Sequence, residues 1–253
     1  MGLFDAFKKK QCDICGGDIG LLGNRKLEDG NMCKDCAKKL SPWFDDRRHS
    51  TVAQINEQLA YREANKEKVA SFHVTRTLGE GTQILLDEDA GLFMVARTSS
   101  LQEENPDVLA FSDVTGCRLD IDEDRTEVMR TDKDGNEVSY VPPRYTYEYD
   151  FTMIIQVRNP YFDDITFQLN SSSVEVGGSG PVRRRPEESV EYCQYKQMGE
   201  EITEILLGVR KQAREEAAAA AAPKQAVTCP YCGASTMPDA NGQCEYCGGA
   251  VNG

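Results

Sequence analysis

Only two histidines occur in the 253 residues, His49 and His73, which leaves the chain short of the side chain most often used as a general base near neutral pH. Neither has a nucleophile or a metal-ligand partner close to it in sequence. A phosphate-cradling glycine loop and a nucleophile elbow are also missing. The expectation is a protein that is not an enzyme and takes no small-molecule substrate. No apolar run reaches the roughly 18 residues that a membrane-spanning helix needs. A signal-peptide pattern is missing too, because Met1 to Phe7 is followed at once by Lys8, Lys9 and Lys10. A reducing cytoplasm is therefore the expected location, and there paired cysteines bind metal more often than they bind each other.

Positive charge is also scarce. The chain holds 29 Lys and Arg against 42 Asp and Glu, a net charge of -13, and residues 71–182 hold 8 against 21. Such a region repels a phosphate backbone, so nucleic acid is not its expected partner. Residues 1–50 run the other way, 10 against 8. Lys8 to Lys10, Arg25-Lys26, Lys38-Lys39 and Arg47-Arg48 keep nucleic-acid binding through this end as an alternative function. Residues 1–10 offer a second alternative, weak peripheral contact with anionic lipid. Stable attachment generally takes two signals, and the myristoylation pattern fails at Ala6.

Against these absences stand ten cysteines, eight of them in two quartets. Cys12-x2-Cys15-x17-Cys33-x2-Cys36 and Cys229-x2-Cys232-x11-Cys244-x2-Cys247 both have the spacing of a four-thiolate zinc site. A Cys-x-x-Cys turn brings two sulfurs close enough to share one metal, and two facing turns complete a tetrahedron. Gly16, Gly233 and Gly248 follow three of these turns and let the backbone approach the sulfurs. Two Zn2+ per chain are expected, both structural, since four thiolates leave no open coordination position. Iron in the same cages, thiol-disulfide exchange and disulfides are the competing uses of these residues. Cys117 and Cys193 remain, each expected as a buried, inert thiol.

Five segments are expected: a zinc module at 1–49, a connecting helix at 50–71, a strand-rich domain with its closing helix at 72–212, an alanine-rich spacer at 213–227 and a second zinc module at 228–253. Ser50-Thr51 caps the connecting helix, whose exposed side is rich in Gln, Glu and Lys. Strands are predicted at 72–77, 83–86, 92–96, 114–121, 126–131, 138–140, 145–157 and 165–169, with Asp134-Gly135-Asn136 as a hairpin turn. Residues 171–186 read as a loop carrying Arg183-Arg184-Arg185. Tyr192, Tyr195, Met198, Ile202, Ile205, Leu206 and Val209 then form one helical stripe, and Pro223 ends the helix. Asp120, Asp122 and Asp124 share a strand face without the pattern of a calcium loop.

Cys12 to Asn65, including Ile19-Gly20-Leu21-Leu22-Gly23-Asn24-Arg25-Lys26-Leu27, resembles a bacterial domain-of-unknown-function family with an N-terminal four-cysteine module. The resemblance implies a pleckstrin-homology-like region after the module, and residues 228–253 resemble bacterial zinc ribbons. The implied fold class is α+β and multidomain: a treble-clef-like finger, a central antiparallel β-sandwich or barrel closed by a C-terminal helix, and a ribbon. Lipid-binding members of the pleckstrin-homology class carry a basic cluster on their first hairpin, which here reads Arg76-Thr77-Leu78-Gly79-Glu80-Gly81. The resemblance carries no established function, and the expected one is that of a non-catalytic adaptor or scaffold whose zinc modules and central sheet offer surfaces to a protein partner.

Overall fold

The computed structural model describes residues 10–177, 184–221, 227–237 and 242–251. The chain divides into two compact units, Met1–Val209 and Arg210–Gly253.

The first unit opens with two minimal hairpins, β1 (Lys10–Gln11) with β2 (Asp18–Ile19) and β3 (Arg25–Lys26) with β4 (Asn31–Met32). A single helical turn follows, α1 (Lys34–Ala37). It stops at Ala37 because Lys39 and Leu40 donate their N–H groups only three residues back, to Cys36 and Ala37. Thr51 then caps α2 (Val52–Ser71): its hydroxyl accepts the Gln54 N–H while the Gln54 side chain accepts the Thr51 N–H.

The inward face of α2 is Ile55, Gln58, Arg62, Asn65 and Val69, residues at alternating steps of three and four. Ile55 packs with Leu27, Met32 and Leu40 of the cysteine module. Val69, just under two turns beyond Arg62, packs with Leu85, Met94 and Val108 of the first sheet. Between these apolar ends the face is polar. The Arg62 guanidinium meets the Asp107 carboxylate at 2.8 Å, with both side chains almost wholly shielded from solvent. Asp107 also accepts the Ser41 hydroxyl at 2.7 Å, and Arg62 Nε donates to the Lys39 carbonyl. Asn65 donates to Asn105 and to the Pro106 carbonyl and accepts the Val108 N–H. The helix read from the sequence as having a solvated Gln, Glu and Lys side thus turns Gln58 and Asn65 inward beside Arg62.

The first sheet runs antiparallel in the order β5 (Arg76–Leu78), β6 (Gln83–Asp87), β7 (Leu92–Ala96), β8 (Leu109–Ala110), with the short helix α3 (Leu101–Glu104) before β8. The strand expected from Phe72 starts only at Arg76, because Phe72 packs beside Val69 and Leu85 as the chain leaves α2 for the sheet. β6 and β7 are apolar at consecutive positions because both faces are covered. Ile84, Leu86, Phe93 and Val95 face the main core, while Leu85 and Met94 face α2.

The second sheet is built on β12 (Tyr145–Val157). β9 (Val114–Glu127) lines one edge of it, and β13 (Asp164–Gln168) and β14 (Val174–Val176) lie end to end along the other. β10 (Met129–Thr131) and β11 (Glu137–Ser139) form a hairpin turned at Gly135. β9 runs past the predicted end at 121 as far as Glu127 and takes in the start of the next predicted strand, whose remainder is β10; along it half-buried Leu119 and Ile121 alternate with exposed Asp120, Asp122 and Asp124. The expected loop from 171 holds β14, whose Val174 and Val176 are buried against β12. Its period-2 pattern, Val-Glu-Val, was too short to outweigh the surrounding Ser and Gly. Arg184 and Arg185 are described, and Arg185 pairs with Glu188; Arg183 lies outside the described residues.

α4 (Val190–Ala221) lays Tyr192, Tyr195, Ile202 and Leu206 on a core shared with both sheets. Gly199 permits the close approach, because a Cβ there would lie 2.7 Å from a Leu119 methyl. The Val209 side chain and Pro223 lie outside the described residues. Among the described residues the two sheets are not hydrogen-bonded into a closed barrel, so the architecture is a mixed α/β one with separate sheets around one core. In the second unit β15 (Val227–Thr228) pairs with β16 (Ser235–Thr236).

Burial raises the Asp107 carboxyl above its ordinary value, with Arg62 and the Ser41 hydroxyl pulling the other way. Taking both charges out of water offsets much of their attraction, yet breaking the pair strands a charge. Asp107→Ala is expected to cost about 3–5 kcal/mol, and the double change Arg62→Met with Asp107→Leu to recover most of that. Urea unfolding of the two variants beside the unmodified chain checks this. A double variant no more stable than Asp107→Ala would contradict it.

Candidate metal centres

Both terminal segments converge on sulfur. The Sγ atoms of Cys12, Cys15, Cys33 and Cys36 all lie within 4.8 Å of one another, and so do those of Cys229, Cys232, Cys244 and Cys247. A zinc tetrahedron with Zn–S bonds of about 2.3 Å has sulfur-to-sulfur edges of about 3.8 Å. The resolved edges are 3.8 Å for Cys15–Cys33, 3.5 Å for Cys229–Cys247 and 3.8 Å for Cys232–Cys244. A disulfide needs about 2.05 Å, and all ten cysteines are free. Each quartet fits one metal ion, and the all-thiolate donor set suits zinc.

Three of the four Cys-x-x-Cys turns share one backbone pattern. Gly16, Gly233 and Gly248 donate their N–H groups to the carbonyls of Cys12, Cys229 and Cys244. Those cysteines donate in turn to the carbonyls of Gly17, Ala234 and Gly249. The closing glycine has φ of 72°, 72° and 68°, in the left-handed region where a side chain costs roughly 1–2 kcal/mol. The fourth turn differs: Cys33 is the N-cap of α1, and its sulfur accepts the Cys36 N–H at 3.3 Å. The first quartet therefore joins one glycine knuckle to one helix start, and the second joins two knuckles. Cys33 N–H also donates to the Cys12 sulfur at 3.2 Å, so the two halves of the first site are linked through backbone as well as through sulfur.

The thiols in each quartet divide by environment. Burial raises Cys12, but the backbone N–H groups of Cys15, Cys33 and Ile14 outweigh it and bring the thiol down to about 6. Burial likewise raises Cys244, and N–H groups of Tyr246 and Cys247 bring it down to about 6. The Cys232 N–H lowers Cys229. Burial, then hydrogen bonds to the neighbouring sulfurs, pushes Cys36 up. The Gly249 N–H lowers Cys247, but the sulfurs of Cys229 and Cys232 push it up to about 12. Four sulfurs this close cannot all be anionic without a cation between them, and a dication removes that conflict.

Other titratable residues fall elsewhere. Cys117 is half-buried, its thiol raised by burial, with Thr203 Oγ1 at 3.7 Å. Cys193 is exposed rather than buried, because it sits on the outward side of α4 between the inward Tyr192 and Tyr195 and donates only to the Glu187 carbonyl. His49 is exposed beside Asp46. Sequence distance concealed a third grouping, His73 with Asp87 and Asp89. There Asp87 is buried, and its carboxylate accepts the N–H groups of His73 and Ala90, which accounts for its placement.

The geometry predicts two zinc ions per native chain. Cys12→Ser and Cys229→Ser should each leave one ion, measured by metal analysis, and each should unfold its own module, because a structural zinc of this kind contributes about 10–16 kcal/mol of binding energy. Acid should compete for the same sulfurs. Metal release requires protonation of thiolates that a bound dication holds deprotonated, so zinc is expected to be lost as the pH falls and not as it rises. Release to a colorimetric chelator during a descending pH titration checks the sign, and release on going upward from pH 7 would contradict it.

No curated protein and no solved structure matches the chain. Residues 10–58, which hold the first quartet and the first turns of α2, match the family model described as Domain of unknown function (DUF4428).

Proposed function

We propose that this chain is a non-catalytic, zinc-stabilised adaptor of the bacterial cytoplasm that binds a protein partner. On this reading the first quartet holds a treble-clef-like finger, the two sheets with α4 form a pleckstrin-homology-like domain, and the second quartet holds a zinc ribbon. The observation that carries it is the closed donor set of both clusters. With four sulfurs committed to each ion, no coordination position is left for substrate, and the metal's role is to hold shape.

The surface that suits a partner lies beside α4. A groove of about 530 Å³ runs between β5 and α4, lined by Leu78, Tyr195 and Met198 with Glu80 and Glu201 at its rim. Among the described residues β5 pairs only with β6, so its outer edge carries backbone groups available to an added strand. Val190 stands 73% exposed at the end of this groove.

Affinity capture on the full chain, quantified against Val190→Arg and against Cys229→Ser, tests the reading. A specific partner should fall by about tenfold or more on Val190→Arg, the loss expected when a charge enters an interface core. Identical protein profiles from all three baits would sink it.

A further inference from the structure

The cysteine module carries a feature that metal binding does not use. The turn Gly20-Leu21-Leu22-Gly23 follows β2, closed by Gly23 N–H donating to the Gly20 carbonyl at 2.9 Å. Leu21 is 93% exposed and Leu22 89%. Two adjacent leucines held in water at a loop tip gain nothing for the fold, whose module core is made by Ile19, Leu27, Met32 and Leu40. Exposed apolar groups held together in this way mark contact surfaces.

The base of the tip is cationic. Lys10 lies opposite Ile19 in the β1–β2 pair, immediately before the turn. Arg25 donates to the carbonyls of Leu22 and Asn24. Arg47, brought from a later segment, donates to the Lys26 carbonyl at 2.6 Å. Among the described residues Lys10, Arg25, Lys26 and Arg47 enter no ion pair. Of the module's acidic residues, Asp13 accepts the Asn31 N–H and Asp29 the Val52 N–H, Asp46 faces His49, and Asp18, exposed beside Ile19, is the carboxylate nearest the tip in sequence. Desolvation, then the charges of Arg25 and Arg48, lowers Arg47, as expected for cations held together without a counter-charge.

We propose that the Leu21–Leu22 tip and its collar of Lys10, Arg25, Lys26 and Arg47 form a contact surface for an anionic lipid bilayer. The leucines enter the boundary between headgroups and acyl chains, and the cations stay at the level of the lipid phosphates. Charge complementarity selects this occupant. An apolar tip ringed by cations matches a layer that is anionic outside and apolar beneath. A nucleic acid has no use for the leucines, and a protein partner needs a broader buried face than two side chains supply. Residues 71–182, with 21 acidic against 8 basic residues, are repelled by the same surface, which turns the module toward it. This differs from attachment through residues 1–10, because the described part of the module carries both signals itself.

Sedimentation of the full zinc-loaded chain with vesicles tests the proposal, comparing pure phosphatidylcholine with vesicles containing about one third phosphatidylserine. Binding is expected to the anionic vesicles only, and to weaken with salt. Leu21→Glu with Leu22→Glu should reduce it about tenfold while metal analysis still gives two ions per chain, since both side chains are outside the fold. Leu21→Ser with Leu22→Ser, which removes the apolar groups without adding charge, should reduce it as well. A chain starting at Lys10 should keep most of the binding. The proposal is overturned if the serine variant sediments like the unmodified chain, if binding vanishes with residues 1–9 alone, or if the chain shifts nucleic acid at low salt but leaves anionic vesicles untouched.

Discussion

The Arg62–Asp107 ion pair is the constraint on which the first unit depends. Three separate pieces of chain meet there: the end of the cysteine module through Ser41 and the Lys39 carbonyl, the middle of α2 through Arg62, and the segment before β8 through Asp107. Removing both charges from water costs several kcal/mol per ion, and mutual attraction returns it only when geometry and further hydrogen bonds are good. Here Asp107 has two side-chain partners, and the neighbouring Asn65 and Asn105 satisfy one another and the adjacent backbone. The network therefore specifies which pieces pack together more than it adds stability. Half-buried Trp43, next to Ser41, packs on the main core from the module side, so the apolar contacts agree with the polar ones.

That arrangement changes what the cysteine module is. Alone it has an apolar core of a few residues, among them Leu27, Met32 and Leu40, completed by Ile55 from α2. Beside that core stand four sulfurs placed to hold one metal ion, and segments of this size do not bury enough apolar surface to fold unaided. α2 is shared between module and sheet, and Gly30 approaches Val52 so closely that a Cβ would lie 2.7 Å from a Val52 methyl. Loss of metal at the first quartet is thus transmitted to α2. The second quartet belongs to the other compact unit.

Periodicity and spacing were legible where one local rule governed. The start of α2 followed from the Ser50-Thr51 cap, β7 and β12 from uninterrupted apolar or alternating runs, and both quartets from Cys-x-x-Cys spacing. What escaped depended on partners distant in sequence. Asn65 is an ordinary solvent-facing residue until residues 105–108 arrive to cover it, and Gln58 is buried on the same face. Cys193 looked buried because its neighbours Tyr192 and Tyr195 are; a helix turns about 100° per residue, and that rotation sends its thiol outward. β14 is held by β12 rather than by any preference of Ser171 to Ser173 around it.

The amino-acid sequence by itself determined the two thiolate quartets, the alternation of strands and the charge contrast between the module and residues 71–182, since each of these is a matter of residue type at short spacing. Tertiary structure alone decided which polar side chains of α2 are buried, that Arg47 joins Arg25 and Lys26 beneath two exposed leucines, and that the sheets stay separate around one core. The physical reason is common to these. Burial, ion pairing and charge clustering are properties of pairs of groups brought within a few ångströms, and chain order does not say which distant groups those will be.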